Sequence, residues 1–100
     1  MISARRTYEC GLHRYEEVDA AREAAIKRGR DVQKLAKRAI SSLHRSERSE
    51  AEARISEGCA AARELLCGPA AAHAELRGLG AVRACLEELA EAQLLAAFTN

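Results

Sequence analysis

The stretch "AREAAIKRGRDVQKLAKRAISSLHR", residues 21–45, decides the fold. Together with Val18 before it, Ala21, Ala25, Val32, Ala36, Ala39 and Leu43 recur at steps of three, four or seven, which lays one apolar stripe along a helix. Leu35 and Ile40 widen that stripe. The pattern predicts a helix from about Tyr15 to His44. At a rise of ~1.5 Å per residue it would span about 45 Å, longer than a typical globular helix and suited to a bundle or an assembly. Gly29 lies near its middle, at a helix-propensity cost of about 1 kcal/mol relative to Ala. It would permit either a close helix crossing or a slight bend.

Working outward, residues 1–12 show no clear period and contain Gly11, so a loose N-terminal leader, with room for one helical turn, is expected over 1–14, with the helical domain over 15–100. "HRSERSEAE" at 44–52 reads as a connector and a helix start. Ser46 or Ser49 can serve as N-cap, and Glu47, Glu50 and Glu52 suit the positive end of the dipole. The second helix is predicted over about 47–67, with Ala51, Ile55, Cys59, Ala62 and Leu66 as its stripe. "GP" at 68–69 ends it, Gly68 through a left-handed cap. A last helical region covers about 70–98, loosened by "GLG" at 78–80, with Val82, Leu86, Leu89 and Leu94 apolar. β-branched residues are few and period-2 alternation is absent. The fold class expected is all-α: long antiparallel helices forming part of a bundle, completed by oligomerisation.

The composition supports thin packing surfaces. Of the 48% apolar residues, 22 are Ala and only 20 are Ile, Leu, Val, Met or Phe. A 100-residue chain buries only about two thirds of its unfolded surface, so a large private core is not expected. The net charge is +1, yet residues 1–48 carry 12 Lys/Arg against 7 Asp/Glu and residues 49–100 carry 4 against 8. Such asymmetry fits a polyanion partner or oppositely charged solvated faces. Cys10, Cys59, Cys67 and Cys85 form no CxxC pair, and His13, His44 and His73 are scattered, which argues against a zinc site. No apolar run approaches the ~20 residues of a membrane span. Residues 1–15 hold Arg5, Arg6, Glu9, His13 and Arg14 without an apolar stretch, so no secretory signal is expected. Reduced cysteines then favour a cytoplasmic location.

Two sets of residues carry candidate chemistry. In "LEELAEAQLL", 86–95, Glu88 and Glu91 stand at i and i+3, and Glu87 and Glu91 at i and i+4. Like charges so placed repel by a few tenths of a kcal/mol. A divalent cation would relieve that repulsion, and Mg²⁺ is commonly held by one or two carboxylates with waters and phosphate oxygens. The same spacing is also the ordinary dress of a solvated helix face. On the first helix, Arg30, Lys34, Lys37 and Arg38 fall on one side and can meet phosphates. Tyr8, Tyr15 and Phe98 are the only aromatics, so base-specific readout is not expected. His44 can act as a phosphate or proton contact, or as a polar helix end.

The segment 21–45, "AEARISEGCAAARELL" at 51–66 and "GLGAVRACLEELAEAQLLAAF" at 78–98 together resemble the translin family. The last is similar to the helix carrying an E-x-x-E-A element in its TRAX-like branch. The most specific matches are Arg22-Glu23 with Arg30-Asp31, "LHR" at 43–45, and Glu88-Leu89-Ala90-Glu91-Ala92. The resemblance implies an all-α subunit of a hollow oligomer that binds single-stranded RNA or DNA, assembled from copies of itself or from translin-family partners. It also implies metal-dependent endoribonuclease activity, with Glu88 and Glu91 where two catalytic acids hold Mg²⁺ or Mn²⁺. Family members are roughly twice this length, and the later helices, with a further catalytic Asp, have no counterpart here. A third acid, if needed, comes from another chain or is missing, and the alternative expectations are a non-catalytic nucleic-acid-binding module or a purely structural helical oligomer. The aromatic usual between the two glutamates is replaced by Leu89.

Overall fold

The computed structural model describes residues 4–99, and it is all-α: among the described residues every regular element is helical. Helix α1 spans Ala4–His44, α2 spans Arg48–Cys67, α3 is the single turn Pro69–Ala72, a 3₁₀ segment follows at Ala74–Gly78, and α4 spans Gly80–Phe98.

The direction of each helix follows from its contacts. A three-residue turn, Arg45–Glu47, reverses the chain between α1 and α2. Ser46 there adopts φ 60°, and the Ser46 and Glu47 amides donate to the carbonyls of Leu43 and Ser42. Gly58 then lies beside Leu35, and Glu64 forms an ion pair with Arg28, so α2 runs antiparallel to α1. The α3 and 3₁₀ segments carry the chain across the end of this pair. Helix α4 starts with Ala81 and Cys85 against Gly29 and ends with the carbonyls of Ala96 and Thr99 accepting from the Arg48 guanidinium. It is thus parallel to α1 and antiparallel to α2. Arg48 meets the negative end of the α4 dipole and uses carbonyls that a helix end leaves free.

The core is built mainly from small side chains. Eight of the fifteen buried apolar side chains among the described residues are alanines, from Ala25, Ala36 and Ala39 on α1 to Ala51, Ala61 and Ala62 on α2 and Ala92 on α4. Leu65, Leu76, Val32, Val82 and Cys85 supply the larger fully buried groups. Small residues at a contact let helix axes approach to the short end of the ~8–10 Å range. Gly29 supports a close crossing: a Cβ there would meet the Ala81 carbonyl oxygen at 3.5 Å and Cys85 Sγ at 3.7 Å. Gly58 is tighter, with a Cβ falling 2.9 Å from Leu89 Cδ1.

Several sequence expectations need correction. Residues 4–14, expected as leader, are helical and continuous with α1, since Ala, Arg and Glu propensity suffices without an apolar stripe. The break expected at "GLG" falls at Leu79, where α4 begins, but the helical stretch before it is divided once more at His73, and both residues are in extended conformation. The buried stripe of α2 is rotated from the expected one, to Ala51, Gly58, Ala61, Ala62 and Leu65, with Ile55 and Cys59 at its margin. Leu94 is exposed rather than inward. The N-cap of α2 is Glu47, without a side-chain cap, in place of Ser46 or Ser49. Gly68 has φ −104° instead of a left-handed cap. It is required there for another reason: a Cβ would sit 2.7 Å from the Glu64 carbonyl oxygen.

The molecule is long and narrow, 70 × 16 × 16 Å. Helix α1 is twice the length of α2 or α4, and residues 11–17 are exposed, including Leu12 and Tyr15. Its N-terminal half therefore projects beyond the bundle. No helix among the described residues is long and apolar enough to cross a membrane.

The two glycines make a paired test of this packing by urea denaturation. Gly29→Ala should raise stability by up to about 1 kcal/mol, because helix propensity improves and the new methyl makes ordinary contacts. Gly58→Leu should cost about 1–3 kcal/mol through overpacking against Leu89 and Leu35. A destabilised Gly29→Ala variant would show the α1–α4 crossing to be tighter than described.

Candidate nucleic-acid interface and carboxylate pair

Helix α1 commits one side to the core, which dictates where its charges go. At roughly 100° per residue, Lys34 lies about 180° from the Ala25–Val32–Leu43 seam, and Arg30 and Lys37 lie together to one side of it. Arg38 also falls on the outer face, turned toward α2. All four are exposed. Arg28 lies nearer α2 and is spent internally, on Asp31 and Glu64. Among the described residues Arg14, Arg22, Lys27, Arg30, Lys34, Lys37 and Arg38 make no ion pair, so α1 presents seven uncompensated cations.

The rest of the ion pairing is local and mostly exposed. Arg45 holds Glu47 at 3.0 Å, and that hydrogen bond with its carboxylate raises the Arg45 pKa. Arg48 pairs with Glu52, and Arg54 bridges Glu50 and Glu57. Each exposed pair contributes on the order of 0–1 kcal/mol.

The carboxylates of α4 are placed by its own seam. Cys85 and Ala81 face Gly29 of α1, and Glu88 is one turn beyond Cys85 on that edge. Glu88 is half-buried, whereas Glu87 and Glu91 are exposed. None of the three has an ion-pair or hydrogen-bond partner among the described residues. Burial pushes the Cys85 thiol pKa up, and the charge on Glu88 adds to that shift. Cys85 Sγ donates to the Val82 carbonyl at 3.0 Å. The structure thus keeps Glu88 and Glu91 adjacent on one helix, with Glu88 at the α1 border and Glu91 turned to solvent. It joins neither to Arg30, Lys34, Lys37 or Arg38 by an ion pair.

Among the described residues no group of three or more His, Cys, Asp or Glu gathers at metal-binding distance. The donors that are present are hard carboxylate oxygens, the class that Mg²⁺ or Mn²⁺ takes. Two of them leave the remaining octahedral positions to water, to phosphate oxygens or to another chain.

A cleft of about 500 Å³ between the C-terminal half of α1 and the start of α2 was not anticipated. It is lined by Lys37, Arg38, Ser41, Ser42, Arg45, Glu50 and Arg54. Its sequence signal is "KRAISSLHRSER", 37–48, where two serines inside a helix are ringed by cations. His44 is exposed at the end of α1 and does not line the cleft. Tyr15 is exposed on the projecting part of α1 and Phe98 at the C-terminal end of α4.

Comparison of the chain with protein-family models, with curated proteins and with solved structures finds no match.

The lack of an internal counter-charge has a thermodynamic signature. Without divalent cations and at low salt, Glu88→Gln should raise stability by about 0.2–0.5 kcal/mol by relieving repulsion from Glu91, and the gain should fade as salt screens it. A clear loss of stability in thermal melts would instead reveal a cation that holds Glu88 in the folded chain.

Proposed function

We propose that the chain binds single-stranded nucleic acid along the outer face of α1, as a translin-like subunit that assembles with further copies of itself or with translin-family partners. The observation that carries this reading is the row Arg30, Lys34, Lys37 and Arg38, exposed on one side of a long helix and free of internal carboxylates. Cations left unpaired by the fold attract a polyanion, and displacement of its counterions drives association. The scarcity of aromatics near this face fits recognition of the phosphate backbone with little base preference. Assembly would cover the thin, alanine-rich bundle and the projecting part of α1. The free thiols of Cys59, Cys67 and Cys85 suit a reducing, cytoplasmic setting.

A second reading, Mg²⁺-dependent endoribonuclease activity, is favoured by one observation: Glu87, Glu88 and Glu91 carry no internal counter-charge. Glu88 and Glu91 would hold the ion, which when bound lowers the pKa of its water and offsets charge on a scissile phosphodiester. The α1 cations would hold the strand, and the half-buried Glu88 would be oriented by the α1–α4 seam.

Binding is tested by fluorescence anisotropy of a labelled single-stranded RNA across a salt series. Four phosphate contacts predict a slope of log K against log salt of about −2.8, and each Lys or Arg changed to Gln should reduce it by about 0.7. Affinity that ignores salt, or that survives Lys34→Gln/Lys37→Gln/Arg38→Gln unchanged, would refute the reading. Cleavage is tested on end-labelled RNA in Mg²⁺ and in EDTA. Metal-dependent cleavage lost in Glu88→Ala/Glu91→Ala, with binding retained, is the result expected of a nuclease. Binding without cleavage would leave a nucleic-acid-binding module.

A further inference from the structure

We propose that the cleft at the α1–α2 corner is a site for a single phosphate group, the terminal phosphate of a phosphomonoester. Four cations line it, Lys37, Arg38, Arg45 and Arg54, against one carboxylate, Glu50. Arg45 is engaged by Glu47, and Arg54 by Glu50 and Glu57. Lys37 and Arg38 remain without partners and face the cleft as free donors.

One buried atom points to a ligand independently of the charge count, and Ser42 stands beside it. Ser42 is 2% exposed and lines the cleft. Arg54 Nε is buried and forms no well-directed hydrogen bond, although Glu50 Oε1 lies 3.3 Å from it. Buried polar groups are normally satisfied, and an oxyanion seated here would accept from both. An ammonium, a guanidinium and two serine hydroxyls from α1, with the Arg54 guanidinium from α2, suit a compact tetrahedral anion. The source of the phosphate is either the end of a nucleic-acid strand or a free phosphomonoester, and only the first rests on the nucleic-acid reading above.

The test is a ¹H–¹⁵N NMR titration of the full chain with inorganic phosphate, against chloride at equal ionic strength. Saturable shifts are expected at Lys37, Arg38, Ser41, Ser42 and Arg54. Arg38→Gln should weaken the apparent Kd about tenfold and Ser42→Ala severalfold, while the spectra of both variants stay folded. Shifts that never saturate, that spread evenly to Arg30 and Lys34, or that saturate with an unchanged Kd in Arg38→Gln would overturn the proposal. A second arm compares 5′-phosphorylated with 5′-hydroxyl RNA of one sequence. Tighter binding of the phosphorylated strand, lost in Arg38→Gln/Ser42→Ala, assigns the site to strand ends. Saturable phosphate binding without RNA affinity would uphold the cleft and refute the nucleic-acid reading. Equal RNA binding with no saturable phosphate would do the reverse.

Discussion

The structure depends on close approach along one side of α1. Ala25, Gly29, Val32, Ala36 and Ala39 present so little side chain that α2 and α4 both settle against the same helix. Both partners are on one side, so the opposite side of α1 stays wet for its whole length. The lysines and arginines of that side form no ion pair with the acidic residues of α2 and α4, and Arg28 at the margin does. The positive face is a by-product of how the bundle closes. A larger residue at Gly58 would push α2 off Leu89 and Leu35, and with it one wall of the corner cleft.

The fold was legible where side chains differ enough to mark a face. Val32, Leu43 and the alanines between them define α1 without ambiguity, and "GP" stops α2 where the structure stops it. The α2 stripe was harder to read because "CAAARELLC" offers several neighbouring small residues and two adjacent leucines. Period alone does not separate Leu65 from Leu66, and packing against α1 and α4 made the choice. Residues 4–14 were misread because a helix with nothing to pack against has no reason to be periodic. Of the candidate site, the exposure of Lys34 followed from its place opposite the seam. The unequal burial of Glu88 and Glu91 did not, because it depends on which edge of α4 meets Gly29. The cleft was invisible in sequence because it needs a turn at Ser46 to fold α2 back over Ser42.

Charge is segregated by element. Most free cations among the described residues are on α1, where they outnumber the free carboxylates Glu16, Asp19 and Glu23, and α4 carries three free carboxylates, while α2 largely consumes its own charges in pairs one turn apart. A polyanion approaching the Arg30, Lys34, Lys37 and Arg38 row meets little competition from within the chain, and the α4 carboxylates have one resident cation, the exposed Arg83 one turn before Glu87. The two chemistries occupy separate surfaces of a bundle only 16 Å across. A single bound strand reaching from one to the other would pass over the α1–α4 border, where Glu88 stands half-buried.

The overhang of α1 has a consequence for motion. A compact chain of this length has a radius of gyration near 13 Å; here it is 18.1 Å. The bundle half of α1 shares in global stability, and its amides open only when the whole domain does. The projecting turns around Leu12 and Tyr15 are held by propensity and by local pairs such as His13–Glu17. An isolated helix of that length is marginal in water. One continuous helix therefore contains two regimes of hydrogen exchange, with the boundary near Ala21, where the first packing contacts begin. Any surface that docks on the overhang would move that boundary toward the N-terminus.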